Sequence, residues 1–236
     1  MRLSILDKGH GLGTKLLFAL IRAVSRQPVL DVIKLATYRP DFYGALAQGV
    51  THEAMRGPSA WSVGDRELMA AFIAKSNECE WCTRAHAAVV ERALSDATKV
   101  SGVLADLETA PIQEPLRATL RMLRKLTREH AVNEDDMRAA LAAGVSCEQI
   151  KDALAVCFAF NVTTRLANAF GFALASPKAF EVGSKIPTDT RLSLICGLLQ
   201  QRSSLRRIEY WPQGSYISVC HAGSNIQAYD LEQILR

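Results

Sequence analysis

Apolar residues recur every three or four positions along most of this chain, which is the spacing of one face of an α-helix. Two of the periodic segments begin with a serine followed three residues later by an acidic residue or a glutamine, at Ser62–Asp65 and Ser146–Gln149. This arrangement is the capping box that starts many helices. The segments predicted as helices are 14–25, 29–37, 42–50, 62–75, 79–94, 113–130, 133–144 and 146–174. The pattern therefore predicts an all-α fold.

Three local signals set the predicted helix bounds in the middle of the chain. Asn77 is predicted to break the helix that starts after Ser62 and to cap a new helix that begins near Cys79. Asn133 is predicted to cap the short helix that ends at Gly144. Pro177 is predicted to mark the end of the long apolar helix, which we expect to run to about residue 174.

The regular spacing is lost after Pro187, where turn-forming residues and serines become frequent. We therefore predict one all-helical domain over residues 1–187 and an irregular C-terminal extension over 188–236. Within the extension, 192–199 is predicted as a helix and 216–219 as a short strand.

Composition limits the classes of partner. The 236 residues are 49% apolar but only 7% aromatic, which favours helices over sheets. The net charge of +4 is too small by itself to indicate nucleic acid or a membrane surface, and no apolar run approaches the ~20 residues of a membrane span. Most of the six cysteines are scattered and do not suggest a disulfide framework. We expect a cytoplasmic protein without a nucleic-acid or membrane partner.

The segment from Glu67 to His86 carries the candidate chemistry, because it brings together an acid, two thiols and an imidazole. On an ideal helix, Cys79, Cys82 and His86 fall within an arc of about 60°, and the Cα atoms of the two cysteines lie about 5 Å apart. A disulfide needs roughly 4.4–6.8 Å between Cα atoms, so the pair can open and close with little backbone movement. The spacing favours redox chemistry.

Attack on a peroxide requires a thiolate, and a free thiol titrates near about 8.5. His86 could accept the proton of Cys82, which lies four residues before it, and Glu67 could orient His86 or act through water. The resulting sulfenic acid would condense with the second thiol to a disulfide, which an external dithiol would reduce by exchange. Spacing alone leaves the attacking sulfur open, because the helix start favours Cys79 and the imidazole favours Cys82.

The pattern Glu67-x11-Cys79-x2-Cys82-x3-His86 resembles the motif of the AhpD-like alkylhydroperoxidases, in the carboxymuconolactone decarboxylase superfamily. The contexts at 64–67 and 161–171 are also similar to that superfamily, and the resemblance covers about residues 40–180. It implies an AhpD-like helical domain, homo-oligomers, and reduction of hydroperoxides with electrons from a partner dithiol.

The resemblance also implies a role for each motif residue. Cys82 would attack the peroxide, Cys79 would resolve the sulfenic acid, and Glu67 and His86 would form a proton relay. Neither a metal nor another cofactor is expected. Trp81 occupies the position where the best-characterised AhpD enzymes carry a further histidine, so the relay is expected to be shorter or to run through water.

Other interpretations of the four residues remain open. The cysteines could be buried structural thiols, or the set Cys79, Cys82, His86 and Glu67 could hold zinc. The protein could also be a non-catalytic oligomeric redox sensor whose disulfide alters its assembly. A carboxymuconolactone decarboxylase-like activity is a further alternative, although that chemistry does not need the cysteine pair.

Overall fold

Helices form all the regular secondary structure of the residues that the computed structural model describes, which are 2–38, 45–94 and 97–185. This confirms the predicted all-α fold class. The helices are α1 Ile5–Lys8, α2 Leu12–Ser25, α3 Asp31–Tyr38, α4 Ala45–Arg56, α5 Val63–Ser76, α6 Glu80–Leu94, α7 Ala97–Ala105, α8 Glu114–Glu129, α9 Glu134–Ala142, α10 Cys147–Phe170 and α11 Pro177–Lys185.

Side-chain caps start three of these helices where the sequence predicts them. The Ser62 hydroxyl accepts a hydrogen bond from the Asp65 backbone N–H at 3.0 Å, and the Asp65 carboxylate accepts from the backbone N–H of Ser62. The same reciprocal box opens α10 at Ser146 and α9 at Asn133. These caps satisfy backbone donors that the first turn of a helix leaves without a partner.

The end of the long helix differs from the prediction. Helix α10 ends at Phe170 because Gly171 takes a φ of 60°, in the left-handed region that commonly terminates helices. The predicted end near residue 174 was therefore wrong. Pro177 does not mark that end but begins α11, where its fixed φ suits the first helical position and its missing N–H has no cost.

Helix α7 was not predicted; it is short and contains Gly102 and two hydroxyl residues, which have low helix propensity. It is a helix because Val100 and Val103, three positions apart, are both buried against the core. Tertiary packing of this short apolar stripe offsets its weak intrinsic propensity.

Helix α5 is the centre of the fold and packs against α6, α8 and α10. Every residue from Arg66 to Ala74 is buried, which explains why this part of α5 is apolar on all sides except at Arg66 and Glu67. One large apolar cluster surrounds α5, and a smaller one contains Cys79, Cys82 and Trp81. The candidate site therefore lies between two parts of the core.

Helix α10 is the one described helix that is long and apolar enough, by length and composition alone, to cross a membrane. The core helix of a globular domain can meet the same test, and α10 packs against α4, α5 and α8. The predicted C-terminal extension over 188–236, with its helix at 192–199 and strand at 216–219, lies outside the described residues.

Candidate redox site

The turn between α5 and α6 sets the position of Cys79. The backbone N–H of Cys79 donates to the Ala74 carbonyl and that of Glu78 donates to the Lys75 carbonyl, both at 2.9 Å. Glu78 between them has a φ of 55°. This is the Schellman arrangement, normally built with glycine at the left-handed position. It ends α5 and places Cys79 immediately before α6.

Asn77 does not cap α6, so that prediction was wrong. It is the C-cap residue of α5, and its side-chain amide donates to Asn161 Oδ1 at 3.0 Å and to Thr164 Oγ1 at 2.9 Å. Its backbone carbonyl accepts from the Asn168 amide at 2.9 Å. Asn77 therefore fastens the turn that precedes Cys79 to helix α10.

Both sulfurs of the motif are free thiols inside the protein, with Cys79 1% and Cys82 0% exposed. Hydrogen bonding with Cys82 lowers the pKa of Cys79 to about 7, even though burial opposes the shift. Hydrogen bonding from the backbone N–H groups of Trp81 and Cys82 contributes to the lowered pKa of Cys79. Cys79 immediately precedes α6, and the start of a helix stabilises a negative charge.

The pKa of Cys82 moves in the opposite direction. Its hydrogen bond to Cys79 raises the pKa, and burial and the charge on Cys79 raise it further. The pKa values of the two neighbouring sulfurs therefore move in opposite directions, which favours ionisation of Cys79 before that of Cys82.

Glu67 and His86 meet across the α5–α6 pair. His86 Nδ1 lies 2.6 Å from Glu67 Oε2, and the edge of the imidazole meets Phe160 with ring centroids 4.6 Å apart. Among the described residues no hydrogen bond joins His86 to either thiol. The structure therefore brings together the cysteine pair and, beside it, a carboxylate–imidazole pair, without a hydrogen bond between the two pairs among the described residues.

Arg56 completes the surroundings of Glu67, and sequence reasoning missed it. It reaches from α4 and donates from Nη2 to Glu67 Oε1. Burial is the strongest influence on the carboxyl and acts to raise its pKa, but the charges and hydrogen bonds of His86 and Arg56 together outweigh it and bring the pKa of Glu67 below its usual value. Arg56 lies eleven residues before Glu67, outside the motif, so no spacing rule pointed to it.

Trp81 packs in the smaller apolar cluster and not in a polar relay. Its ring meets the edges of Phe172, at a centroid distance of 5.5 Å, and Phe180, at 5.9 Å. Leu30 and Val32 from the N-terminal part of the chain pack against the same cluster. The cysteine pair is therefore covered by apolar side chains from both ends of the described chain.

The zinc interpretation has no support in this geometry. Both carboxylate oxygens of Glu67 are already engaged, one by Arg56 and one by His86. Within 2–38, 45–94 and 97–185, no group of three His, Cys, Asp or Glu side chains is arranged to hold a metal ion.

The described helices form an all-α domain that contains a buried pair of thiols. Among solved structures, the chain is similar to an uncharacterized peroxidase-related protein from Ralstonia eutropha JMP134, described as an alkylhydroperoxidase AhpD core, with a TM-score of 0.62 and 23% identity over 79% of this chain and 97% of that one. It is also similar to an uncharacterized peroxidase-related protein from Silicibacter sp. TM1040, with a TM-score of 0.60 and 24% identity over 70% of this chain and 85% of that one. These likenesses confirm the AhpD-like fold. No protein-family model and no curated protein sequence matches the chain.

Proposed function

We propose that this protein is a thiol-dependent peroxidase of the alkylhydroperoxidase type, which reduces organic hydroperoxides through Cys79 and Cys82. The observation that carries the proposal is the pair of free, buried thiols at the start of α6, of which Cys79 has its pKa lowered to about 7. The peroxidase-related descriptions of the similar structures support it.

The proposed reaction has three steps. A thiolate attacks one oxygen of the hydroperoxide, the O–O bond breaks, and the alkoxide leaves as an alcohol after taking up a proton, so that the sulfur becomes a sulfenic acid. The second thiol attacks that sulfur, an S–S bond forms, and the sulfenic oxygen leaves as water. An external dithiol then reduces the disulfide by exchange and is itself oxidised to a disulfide.

Two sulfurs are candidates for the attack. The family resemblance assigns it to Cys82, with Cys79 resolving. The pKa directions of the reduced pair favour Cys79, since the pKa of Cys79 is lowered to about 7 and that of Cys82 is raised. Attack by Cys82 would first require its proton to move across the hydrogen bond to Cys79.

His86, which is hydrogen-bonded to Glu67, is proposed to accept and return protons beside the pair. Because Trp81 is packed among apolar rings, we expect the proton path to run from the thiols to His86 through water.

The family resemblance further leads us to propose a homo-oligomer that works in the cytoplasm with an external dithiol or disulfide-reductase partner. Exposed apolar side chains support assembly. On α2, they recur every four residues at Leu12, Leu16, Leu20 and Val24, each at least 60% exposed. A contiguous apolar stripe of this kind is typical of an interaction surface.

Steady-state turnover of an organic hydroperoxide with a small dithiol tests the proposal. We expect turnover in the wild type and its loss in both Cys79→Ser and Cys82→Ser. If Cys82 attacks, a sulfenic acid will accumulate in Cys79→Ser only; if Cys79 attacks, it will accumulate in Cys82→Ser only. Undiminished turnover in the double variant would remove the pair from the reaction.

The burial of both sulfurs favours a second candidate, a redox sensor that is oxidised once and not turned over. Such a protein would form the disulfide stoichiometrically with peroxide but would not consume dithiol continuously. The same assay separates the two functions, because only the enzyme gives many turnovers per cysteine pair.

A further inference from the structure

Arg56 contacts the candidate site from outside the motif. Its guanidinium donates from Nη2 to Glu67 Oε1 and from Nη1 to the Met55 carbonyl at 2.7 Å. Its side chain is 9% exposed and that of Glu67 is 2% exposed. Since the pair is largely shielded from water, the salt bridge is screened much less than one at the surface.

The two oxygens of Glu67 have different partners, and this determines what the carboxyl can do. Oε1 faces Arg56, which has only donors, and Oε2 faces His86 Nδ1 at 2.6 Å. An ionised carboxylate can only accept, so in the neutral imidazole Nδ1 must carry the proton. The Nε2 lone pair is then free to accept a proton, which is the tautomer that a base acting through Nε2 requires.

We propose that Arg56 is a positioning residue: it holds Glu67 as a fixed anion, and through Glu67 it sets the tautomer of His86. Glu67 then orients the base but does not itself exchange a proton during the cycle. The tautomer of His86 follows from the contacts of Glu67 with Arg56 and His86. The effect of Arg56 on turnover rests on the proposed function.

The other charges around Glu67 do not replace Arg56. Arg66, on the same helix, directs its Nη1 to the carbonyls of Ala54 and Gly57 at 3.3 and 2.9 Å. Glu53 from α4 and Asp152 from α10 act electrostatically on Arg66. Arg56 is therefore the cation that contacts Glu67 directly, with His86 as the facing group from α6.

Nitrogen-15 NMR of the histidine rings tests the assignment without any activity. In the wild type, neutral His86 should carry its proton on Nδ1. If neutral His86 carries its proton on Nε2 instead, the wild-type spectrum alone overturns the proposal. In Arg56→Gln, Glu67 should become protonated near neutral pH and donate to Nδ1, so that the proton of His86 moves to Nε2. Arg56→Lys, which keeps the charge, should retain the wild-type tautomer.

A variant result can also contradict the proposal. If folded Arg56→Gln keeps Nδ1–H, or shows an imidazolium paired with an ionised Glu67, then Arg56 is not needed for the ionisation. Arg138→Gln is the matched control, because Arg138 is an exposed arginine on α9 paired with Glu134 and should leave the His86 signals unchanged.

The kinetic arm uses the pH profile of kcat/KM. Arg56→Gln should lower kcat/KM about tenfold or more at neutral pH, and its acidic limb should move up by about one pH unit. A uniform loss at every pH, with no movement of the limb, would show a merely structural role. Absence of turnover in the wild type would contradict the proposed function and leave the NMR test of Arg56 intact.

Discussion

The ring of Trp81 packs against the ring of Phe180 with centroids 5.9 Å apart and planes inclined by 67°. Trp81 lies between the two cysteines in sequence, and Phe180 belongs to α11, so this contact joins the helix of the thiols to the last described helix. It explains the presence of an indole where the resemblance leads one to expect an imidazole. Trp81, Phe172 and Phe180 form an apolar cover over the cysteine pair.

We predict that Trp81→Ala will open this cover. Truncation of a buried aromatic ring typically costs about 3–5 kcal/mol of unfolding free energy, and loss of the contacts to Phe172 and Phe180 should detach α11 from α6. The reduced thiols should then react faster with a neutral alkylating agent. The measurement is the alkylation rate at a pH where Cys79 is ionised, together with denaturant unfolding.

Phe158→Ala is the control for the Trp81 variant. Phe158 is 63% exposed on α10, so its truncation removes an aromatic ring without touching the cover. It should leave the alkylation rate unchanged. Equal rates in wild type and Trp81→Ala would show that the aromatic cover does not limit access to the sulfurs.

The ionisation of Cys79 should depend on its donors. With a pKa of about 7, its thiolate should form on raising the pH through 7. Cys82→Ala removes the thiol donor and should move the pKa of Cys79 up, toward the ordinary value of about 8.5. Cys82→Ser keeps a hydroxyl donor and should move it less. Thiolate absorbance in the ultraviolet, followed against pH, measures all three.

The same shift predicts how stability depends on pH. The pKa of Cys79 is lower in the folded protein than in the unfolded chain, so this group stabilises the reduced fold at pH values above the unfolded pKa of about 8.5. That contribution is lost as the pH falls through about 7. Denaturant unfolding at several pH values should therefore show an unfolding free energy that rises with pH above about 7. This rise should be absent in Cys79→Ala, and a rise that persists in the variant would assign it to other residues.

Much of the fold could be predicted because local signals agree with the final packing. The boxes at Ser62 and Ser146 and the cap at Asn133 are short-range devices, so the sequence alone reveals them. The end of α10 was misplaced because Gly171 outweighs an apolar pattern that continues to Leu174. Asn77 was misassigned because its partners, on α10, are more than 80 residues away in sequence.

The residues of the candidate site also fall into two groups: those whose placement the sequence predicts and those that only tertiary packing brings to the site. Cys79, Cys82 and His86 lie at the start of α6 or within it, so their closeness could be predicted from helix geometry, whereas Glu67 reaches His86 from α5. Arg56 and Phe160 come from α4 and α10, and only tertiary packing brings them to Glu67 and His86. The charge distribution between the sulfurs also escaped prediction, because it depends on which backbone N–H groups point at Cys79.

Glu78 is predicted to be a stabilising site for glycine. Its φ of 55° lies in the left-handed region, which costs a residue with a Cβ about 1–2 kcal/mol. Glu78→Gly relieves this strain but also gives the unfolded chain more conformational entropy, which partly offsets the gain. The unfolding free energy should therefore rise by about 1 kcal/mol. Glu78→Ala, which removes the charge but keeps the Cβ, should give no such gain in chemical denaturation. An equal gain in both variants would assign the effect to the charge.

Asn161 is predicted to be the most sensitive member of the polar network beneath the turn. Its Oδ1 accepts from Asn77, and its Nδ2 donates to the Cys157 carbonyl at 3.0 Å and lies 3.2 Å from the Cys157 sulfur. Asn161→Ala removes these contacts from a partly buried network, and each hydrogen bond typically contributes about 0.5–1.5 kcal/mol.

The consequence should reach the redox pair, because Asn77 holds the turn that places Cys79 at the start of α6. Asn161→Ala should lower the unfolding free energy by about 2 kcal/mol and raise the pKa of Cys79 as the turn loosens. Asn168→Ala is the graded control: it removes one exposed hydrogen bond to the Asn77 carbonyl and should cost under about 1 kcal/mol. Denaturant unfolding and thiolate titration of both variants measure these effects. A loss of stability in Asn161→Ala with no change in the pKa of Cys79 would show that the network does not influence the thiol.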